Sequence, residues 1–198
     1  MPEQPVYDPG SRELQDRFDC RRIADRLVDV TYRTEFTGAD RALIEAAPMF
    51  FLATADAAGR PDCSHKGGLP GFVRVTGPSE LAFPDYDGNG QFRSLGNVRS
   101  NPHVGLLFID WGAPRRLRVN GEATVRDDDP LLAQCEGAQL IVRVRARHIF
   151  PNCPRYIHRM QLVETSRYAP RSGYEPPRPA WKDDPKLRDA LPGKDRRP

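Results

Sequence analysis

Lysine and cysteine are scarce in this sequence, and long apolar runs are missing. The 198 residues include four cysteines without a CxxC pair and four histidines that stand singly, a pattern that favours neither a zinc site nor a disulfide framework. No apolar stretch reaches the ~20 residues that a membrane-spanning helix needs. The first residues lack the basic and apolar segments of a signal peptide. We therefore expect a cytoplasmic protein with free thiols, no bound metal and no membrane association.

Several familiar catalytic motifs are also missing. We find no GxSxG elbow, no P-loop, no GxGxxG after a strand and no HExxH. A catalytic protein of this kind would take its reactivity from a cofactor. The net charge of +3 comes almost entirely from arginine and shows no clustered basic stripe. This argues against a nucleic-acid partner and suits a small anionic ligand, because guanidinium groups match phosphate oxygens.

The distribution of apolar residues predicts three regions. Residues 1–36 form a helical segment, with an imperfect apolar stripe over 11–32. Residues 37–165 hold the apolar core of a single domain. Residues 166–198 are polar and rich in proline, and we expect them to lie as an arm on the barrel or on a partner subunit, anchored by Tyr168, Tyr174 and Trp181.

Short strands dominate the central region. Thr37 is a good N-cap for a helix that Pro48 ends, and a further helix is predicted over 91–100. Gly121 is expected to form a bulge. The predicted strands cover 49–56, 61–66, 71–75, 79–84, 103–111, 115–126 and 140–150. The strand over 140–150 alternates, with Val142, Val144 and Ala146 inside. About six antiparallel strands at this spacing favour a small barrel.

A first group of candidate ligand-binding residues lies in SHKGG. On a strand, Ser64 and Lys66 share one face with Asp62, where a hydroxyl and an ammonium could bind a phosphate or the polar edge of a flavin. Gly67 would let the backbone approach a flat ring system. The alternative is a solvated strand face before a glycine turn.

A second group opens the helix at 91–100. Asn89 precedes it, and Arg93 and Ser94 lie in its first turn, so an anion site at the helix N-terminus is one interpretation and an ordinary capped helix is the other. On the strand 115–126, Arg116 and Arg118 share a face with Asn120 and could bind a ligand or simply face water. Cys153 is expected to be a buried structural thiol.

Three stretches, in this order, resemble the pyridoxamine 5′-phosphate oxidase-like FMN-binding family, and within it a branch of flavin-nucleotide-binding proteins of unassigned substrate. They are APMFFLATADAAGRPDCSHKGGLPGFVRV (47–75), LAFPDYDGNGQFRSLGNVRSNPHVGLLFIDW (81–111) and LRVNGEATV (117–125). The resemblance, over roughly 35–165, implies a six-stranded split β-barrel that dimerises with FMN at the subunit interface.

The resemblance also implies roles for individual residues. Lys66 matches the strand lysine of the family's phosphate site, and Arg93 matches its helix arginine, while Ser94 stands where the oxidase has lysine. The arginine-rich strand of the family is similar to Arg116–Asn120. Two departures are His65, where the branch commonly has proline, and the absence of the C-terminal arginine and histidine motif that recognises pyridoxal phosphate. Oxidation of vitamin B6 is therefore not expected.

The resulting hypothesis is a mainly β, FMN-dependent oxidoreductase, a homodimer acting on an unknown small molecule. Alternatives are a deazaflavin (F420)-dependent reductase and a non-catalytic flavin-binding or sensing protein. A barrel that binds nucleic acid through Arg143, Arg145 and Arg147 is disfavoured, because no aromatic residues interleave with these arginines. No catalytic side chain is assigned. The expected cofactor-binding residues are Ser64, Lys66, Gly67, Asn89, Arg93, Ser94, Arg116 and Arg118.

Overall fold

The computed structural model describes residues 6–196. In this part of the chain, one antiparallel sheet of seven strands has the order β2-β1-β5-β6-β7-β4-β3. The strands are β1 Met49–Ala55, β2 Pro61–Gly67, β3 Arg74–Gly77, β4 Glu80–Tyr86, β5 His103–Asp110, β6 Arg115–Arg126 and β7 Ala138–Pro151. The helices are α1 Pro9–Arg17, α2 Arg21–Thr31, α3 Gly38–Ala46 and α4 Arg93–Ser100. The predicted mainly β barrel with flanking helices and a C-terminal arm is confirmed, with seven strands in place of six.

The N-terminal segment is a pair of helices. The predicted stripe over 11–32 is divided at Asp19, whose φ of 48° is left-handed and ends the helical path between α1 and α2. After α2, Tyr32 stacks on Phe150 at a ring distance of 4.2 Å, which attaches the segment to β7. Much of the apolar stripe nevertheless faces outward: its exposed members are Leu14, Phe18, Ile23, Leu27 and Val30.

Helix α3 begins where the sequence predicts. The Thr37 hydroxyl accepts a hydrogen bond from the Asp40 backbone N–H, and the Asp40 carboxylate accepts one from the Thr37 N–H, forming a capping box. Asp40 also accepts two hydrogen bonds from Arg33. The helix ends at Ala46, two residues before Pro48.

The barrel core follows from alternation along the strands. Phe50 lies at its centre, with its ring 5.0 Å from that of Phe83 and 5.1 Å from that of Phe108. On β7 the predicted inward residues are all buried, as the period of two requires: Val142, Val144 and Ala146. The Gly121 bulge is confirmed, because the register of β6 against β7 shifts there and a Cβ on Gly121 would lie 2.2 Å from the Arg145 carbonyl oxygen.

One strand prediction is displaced. Residues 71–73 are not part of β3, which covers Arg74–Gly77. Gly71 has a φ of +87°, and the Phe72 N–H donates to the Leu69 carbonyl in a turn. Phe72 and Val73 are apolar because they pack into the core from this turn.

The C-terminal arm contacts the barrel through other residues than expected. Tyr168 is 41% exposed and Trp181 is 37% exposed, so aromatic anchoring is the wrong account of these two. The buried residues of the arm are Ala169, Lys182 and Leu191. Aromatic size therefore did not identify the anchors, because burial depends on which barrel groups each side chain meets.

Candidate functional site

A cavity of about 280 Å³ opens at the split of the barrel, where the edge strand β2 faces the end of β4. The loop 87–92 and the first turn of α4 form its rim. Within the described residues, no helix is long and apolar enough to cross a membrane, and no group of His, Cys, Asp and Glu side chains is suited to a metal ion. The lining residues are Asp62, Ser64, Lys66, Asp85, Tyr86, Gly88, Asn89, Gly90, Gln91, Phe92, Arg93, Ser94, Leu95 and Gln139.

Strand register turns one polar face of β2 into this cavity. Ser64 pairs with Leu52 and Lys66 pairs with Phe50. Directly paired residues share a face of the sheet, and both β1 partners are buried in the core. The hydroxyl and the ammonium therefore point toward the barrel interior, at an edge where no further strand from residues 6–196 is paired with β2.

Helix α4 brings a second set of donors. Its N-cap, Phe92, has a left-handed φ of 48° and gives no side-chain cap, so the first-turn N–H groups lack that acceptor. The Ser94 hydroxyl donates to the Ser64 hydroxyl at 3.0 Å, which joins the helix to β2. Arg93 Nε lies 3.5 Å from Asp62 Oδ2, with its side chain 68% exposed.

Two carboxylates balance the two cations. Lys66 Nζ lies 3.8 Å from Asp85 Oδ1, and both side chains are largely buried. Burial raises the pKa of Asp85, and the positive charge of Lys66 opposes this rise. Burial also raises the pKa of the neighbouring Tyr86 to about 12, so its hydroxyl stays protonated and can donate a hydrogen bond. With Asp62 beside Arg93, the four charges sum to zero, and the cavity offers both donors and acceptors.

The structure brings five of the eight predicted cofactor-binding residues together. Ser64, Lys66, Asn89, Arg93 and Ser94 all line the cavity. Gly67 adjoins it without lining it. A Cβ on Gly67 would lie 2.8 Å from the His65 ring, so the glycine leaves room for that side chain.

Arg116 and Arg118 do not line this cavity within one chain. Their strand, β6, is three places from β2 in the sheet order. Leu117 and Val119, which alternate with the two arginines along β6, are buried. The arginines therefore point to the outer face of the barrel. Arg116 Nε is shielded from solvent without a hydrogen-bond partner, and Arg118 is exposed.

Asp62, Asp85 and Gln139 belong to the cavity but were not predicted as site residues. The period of β2 placed Asp62 on the face of Ser64 and Lys66, and that signal could have identified it. No comparable signal exists for Asp85 or Gln139, because their approach to β2 depends on how the barrel closes.

Two other expectations concern residues outside the cavity. Cys153 is exposed instead of buried, and hydrogen bonds from the Arg155 backbone and side chain lower its pKa. Arg143 hydrogen-bonds both Asp129 and Glu80, and Arg145 lies 3.5 Å from Glu122. These arginines are thus already paired with carboxylates.

The protein is an antiparallel split barrel with a polar cavity in which two cations balance two carboxylates. This architecture is that of a domain that binds a small polar ligand. A family model described as pyridoxamine 5′-phosphate oxidase matches residues 36–185, which is more than half of the chain. The chain belongs to this family. The match includes the barrel and extends into the arm, past the limit at residue 165 that the sequence predicted.

Several solved structures are similar to the chain at low identity. A pyridoxamine 5′-phosphate oxidase candidate from Lactobacillus delbrueckii is 23% identical, with 61% of this chain and 99% of that chain covered and a TM-score of 0.50. HupZ from Group A Streptococcus is 18% identical, with coverage of 59% and 93% and a TM-score of 0.48. An FMN-binding protein from Syntrophomonas wolfei is 12% identical, with coverage of 72% and 97% and a TM-score of 0.44. No curated protein matches the chain.

Proposed function

We propose that this protein binds FMN in the cavity at the split and acts as an FMN-dependent oxidoreductase on a small molecule. One observation carries the proposal: Lys66 and Ser64 of β2 converge with Arg93 and Ser94 of α4 on a single cavity. Ammonium, guanidinium, hydroxyl and helix N-terminal groups are the donors that bind phosphate in proteins. Membership of the pyridoxamine 5′-phosphate oxidase family supports the same cofactor class.

The residues present fit a phosphorylated polyol better than a bare anion. Lys66 and Arg93 would bind the phosphate, with Ser64 donating a hydrogen bond to it while it accepts the one from Ser94. Asp62 and Asp85 give acceptors for the hydroxyl groups of a ribityl chain. Bound FMN would supply hydride transfer at its ring, so no side-chain nucleophile is required.

A homodimer is part of this proposal. A cavity of about 280 Å³ is at the low end for small-molecule sites, so a flavin ring would lie at its mouth, against a second chain. Large apolar side chains are exposed on α1, α2 and residues 156–163, as expected for a surface that another chain covers. Arg116 and Arg118, on the outer face, would then approach the flavin of the partner subunit.

Cofactor titration tests the proposal. The purified protein should bind FMN more tightly than riboflavin, which lacks the phosphate, and more tightly than FAD, whose phosphate is esterified further. Light scattering at micromolar concentration should give the mass of two chains. Equal affinity for FMN and riboflavin would refute the phosphate site. A deazaflavin also carries phosphate, and the absorbance spectrum and mass of any cofactor released on denaturation would identify it.

A further inference from the structure

One buried lysine ties the C-terminal arm to the barrel. Lys182 is 5% exposed, although Trp181 and Asp183 beside it are exposed. Its Nζ donates to Asp87 Oδ2 at 2.7 Å and to Asp195 Oδ1 at 2.9 Å. A lysine that loses its hydration needs such carboxylate partners, so its burial depends on both.

Asp87 is the barrel side of this contact. Its Oδ1 also accepts a hydrogen bond from Lys194 Nζ at 3.0 Å. Burial acts to raise the pKa of Asp87, but the hydrogen bonds from Lys182 and Lys194 outweigh it and hold the pKa below its ordinary value. Asp87 is therefore ionised at neutral pH, and two cations of the arm converge on it.

This contact borders the cavity proposed for FMN. Tyr86 and Gly88, on either side of Asp87 in the chain, both line the cavity. Lys194 also donates to Gln139 Oε1 at 3.3 Å, and Gln139 lines the cavity too. The arm thus contacts one lining residue, Gln139, and holds Asp87 between two others, without entering the cavity.

The loop 87–92 has little else to fix its conformation. Gly88 and Gly90 lie within it, and Gly90 has a φ of +76°. All six loop residues are exposed. Local support comes from a hydrogen bond of the Gln91 N–H to the Asn89 side chain, at 3.1 Å, and from one of the Gly96 N–H to the Phe92 carbonyl, at 2.7 Å. Glycine-containing loops lose much conformational freedom when they are ordered. The attachment at Asp87 removes part of that freedom before any ligand arrives.

We propose that Lys182 is a positioning residue of the cofactor site: through Asp87 it fixes the loop 87–92, which presents Asn89 and the N-terminus of α4 to the cavity. This inference rests on the proposed function, because the ligand that it positions is the flavin. Apparent affinity falls with the fraction of molecules whose site is competent to bind. Loss of the Lys182 contact would lower that fraction.

The test compares two lysine variants of the full-length chain. Lys182→Met removes the buried charge and keeps the length of the side chain, while Lys186→Met changes an exposed lysine of the same arm. Hydrogen–deuterium exchange without flavin should accelerate in residues 86–95 for Lys182→Met alone, with β5 and β6 still protected. The Kd for FMN should rise about tenfold for Lys182→Met, as expected if about one molecule in ten retains the competent loop, and should not change for Lys186→Met.

Four results would overturn the inference. Unchanged exchange in residues 86–95 would show that the arm does not order the loop. Faster exchange with an unchanged FMN Kd would show that the loop does not position the flavin, and faster exchange throughout β5 and β6 would show a merely structural role. If Lys182→Met fails to fold by circular dichroism, Asp87→Asn removes the same charge pair from the barrel side, with the same criteria. A wild-type protein that binds no flavin refutes the proposed function and the role of Lys182 with it, and the exchange result still reports separately whether the arm orders the loop.

Discussion

Replacing Lys66 by methionine should remove most of the preference for FMN over riboflavin. Lys66 is the more buried of the two cavity cations: its side chain is 22% exposed, against 68% for Arg93. A hydrogen bond from a charged donor contributes about 1.5–3 kcal/mol, which corresponds to a loss of about ten- to hundredfold in FMN affinity. Methionine keeps the length and the apolar stem, so the shape of the cavity is preserved.

The partner of Lys66 supplies a matched control. Lys66→Met leaves Asp85 without its countercharge, so the pKa of this carboxyl, which burial already raises, should rise further. Asp85→Asn breaks the same ion pair but retains the ammonium. Its preference for FMN should stay the same or increase, because Lys66 is then free of a competing carboxylate.

The quantity to measure is the ratio of the riboflavin Kd to the FMN Kd, by calorimetric or fluorescence titration of the wild type and both variants. Any contact with the ribityl chain or the ring cancels in this ratio, which reports the phosphate alone. If Lys66→Met weakens riboflavin as much as FMN, Lys66 shapes the cavity without contacting the phosphate, and the reasoning is refuted.

Three further changes test other parts of the structure. Arg93→Ala should weaken FMN binding only about three- to fivefold, since its exposed charge is screened by water; a loss as large as that of Lys66→Met in the same titration would contradict this. Gly121→Ala should destabilise the barrel by about 1–3 kcal/mol, because its Cβ would collide with a carbonyl oxygen, and urea denaturation measures the cost. Hydrogen bonds from Arg143 hold the pKa of the buried Asp129 low against the effect of burial. The stability that these hydrogen bonds contribute to the fold is therefore complete above the unfolded-state pKa of about 3.9 and is lost as the pH falls through the lower pKa of the folded state. Melting temperatures between pH 2 and 6 should therefore depend less on pH in Arg143→Met than in the wild type.

Local sequence rules predicted much of this fold. Alternation identified β7, the N-cap residue Thr37 marked the start of α3, and Gly121 marked the bulge. The same alternation placed Ser64 and Lys66 on one face of β2, which is the face that the cavity uses. These features depend on residues close together in the chain, where the period of a strand or the chemistry of a cap decides the outcome.

Contacts between segments that are distant in the chain could not be predicted from the sequence. Asp85 meets Lys66 only because the barrel curves until β2 approaches β4. Lys182 reaches Asp87 across 95 positions of sequence. For Arg116 and Arg118 the alternation correctly gave a shared face, but it carries no information about which strands of the barrel adjoin the cavity.

The split of the barrel gives a bound ligand a mechanical role. Strand β2 is one end of the sheet, and β4 is second from the other end, so neither the backbone ladder nor a short loop joins them there. The cavity bridges this gap, with Lys66 on one side and the loop after β4 on the other. A phosphorylated ligand held from both sides would serve as a noncovalent cross-link that completes the circumference of the barrel. The free protein would then open first at the edge strand β2, and ligand would protect that strand more than any other element.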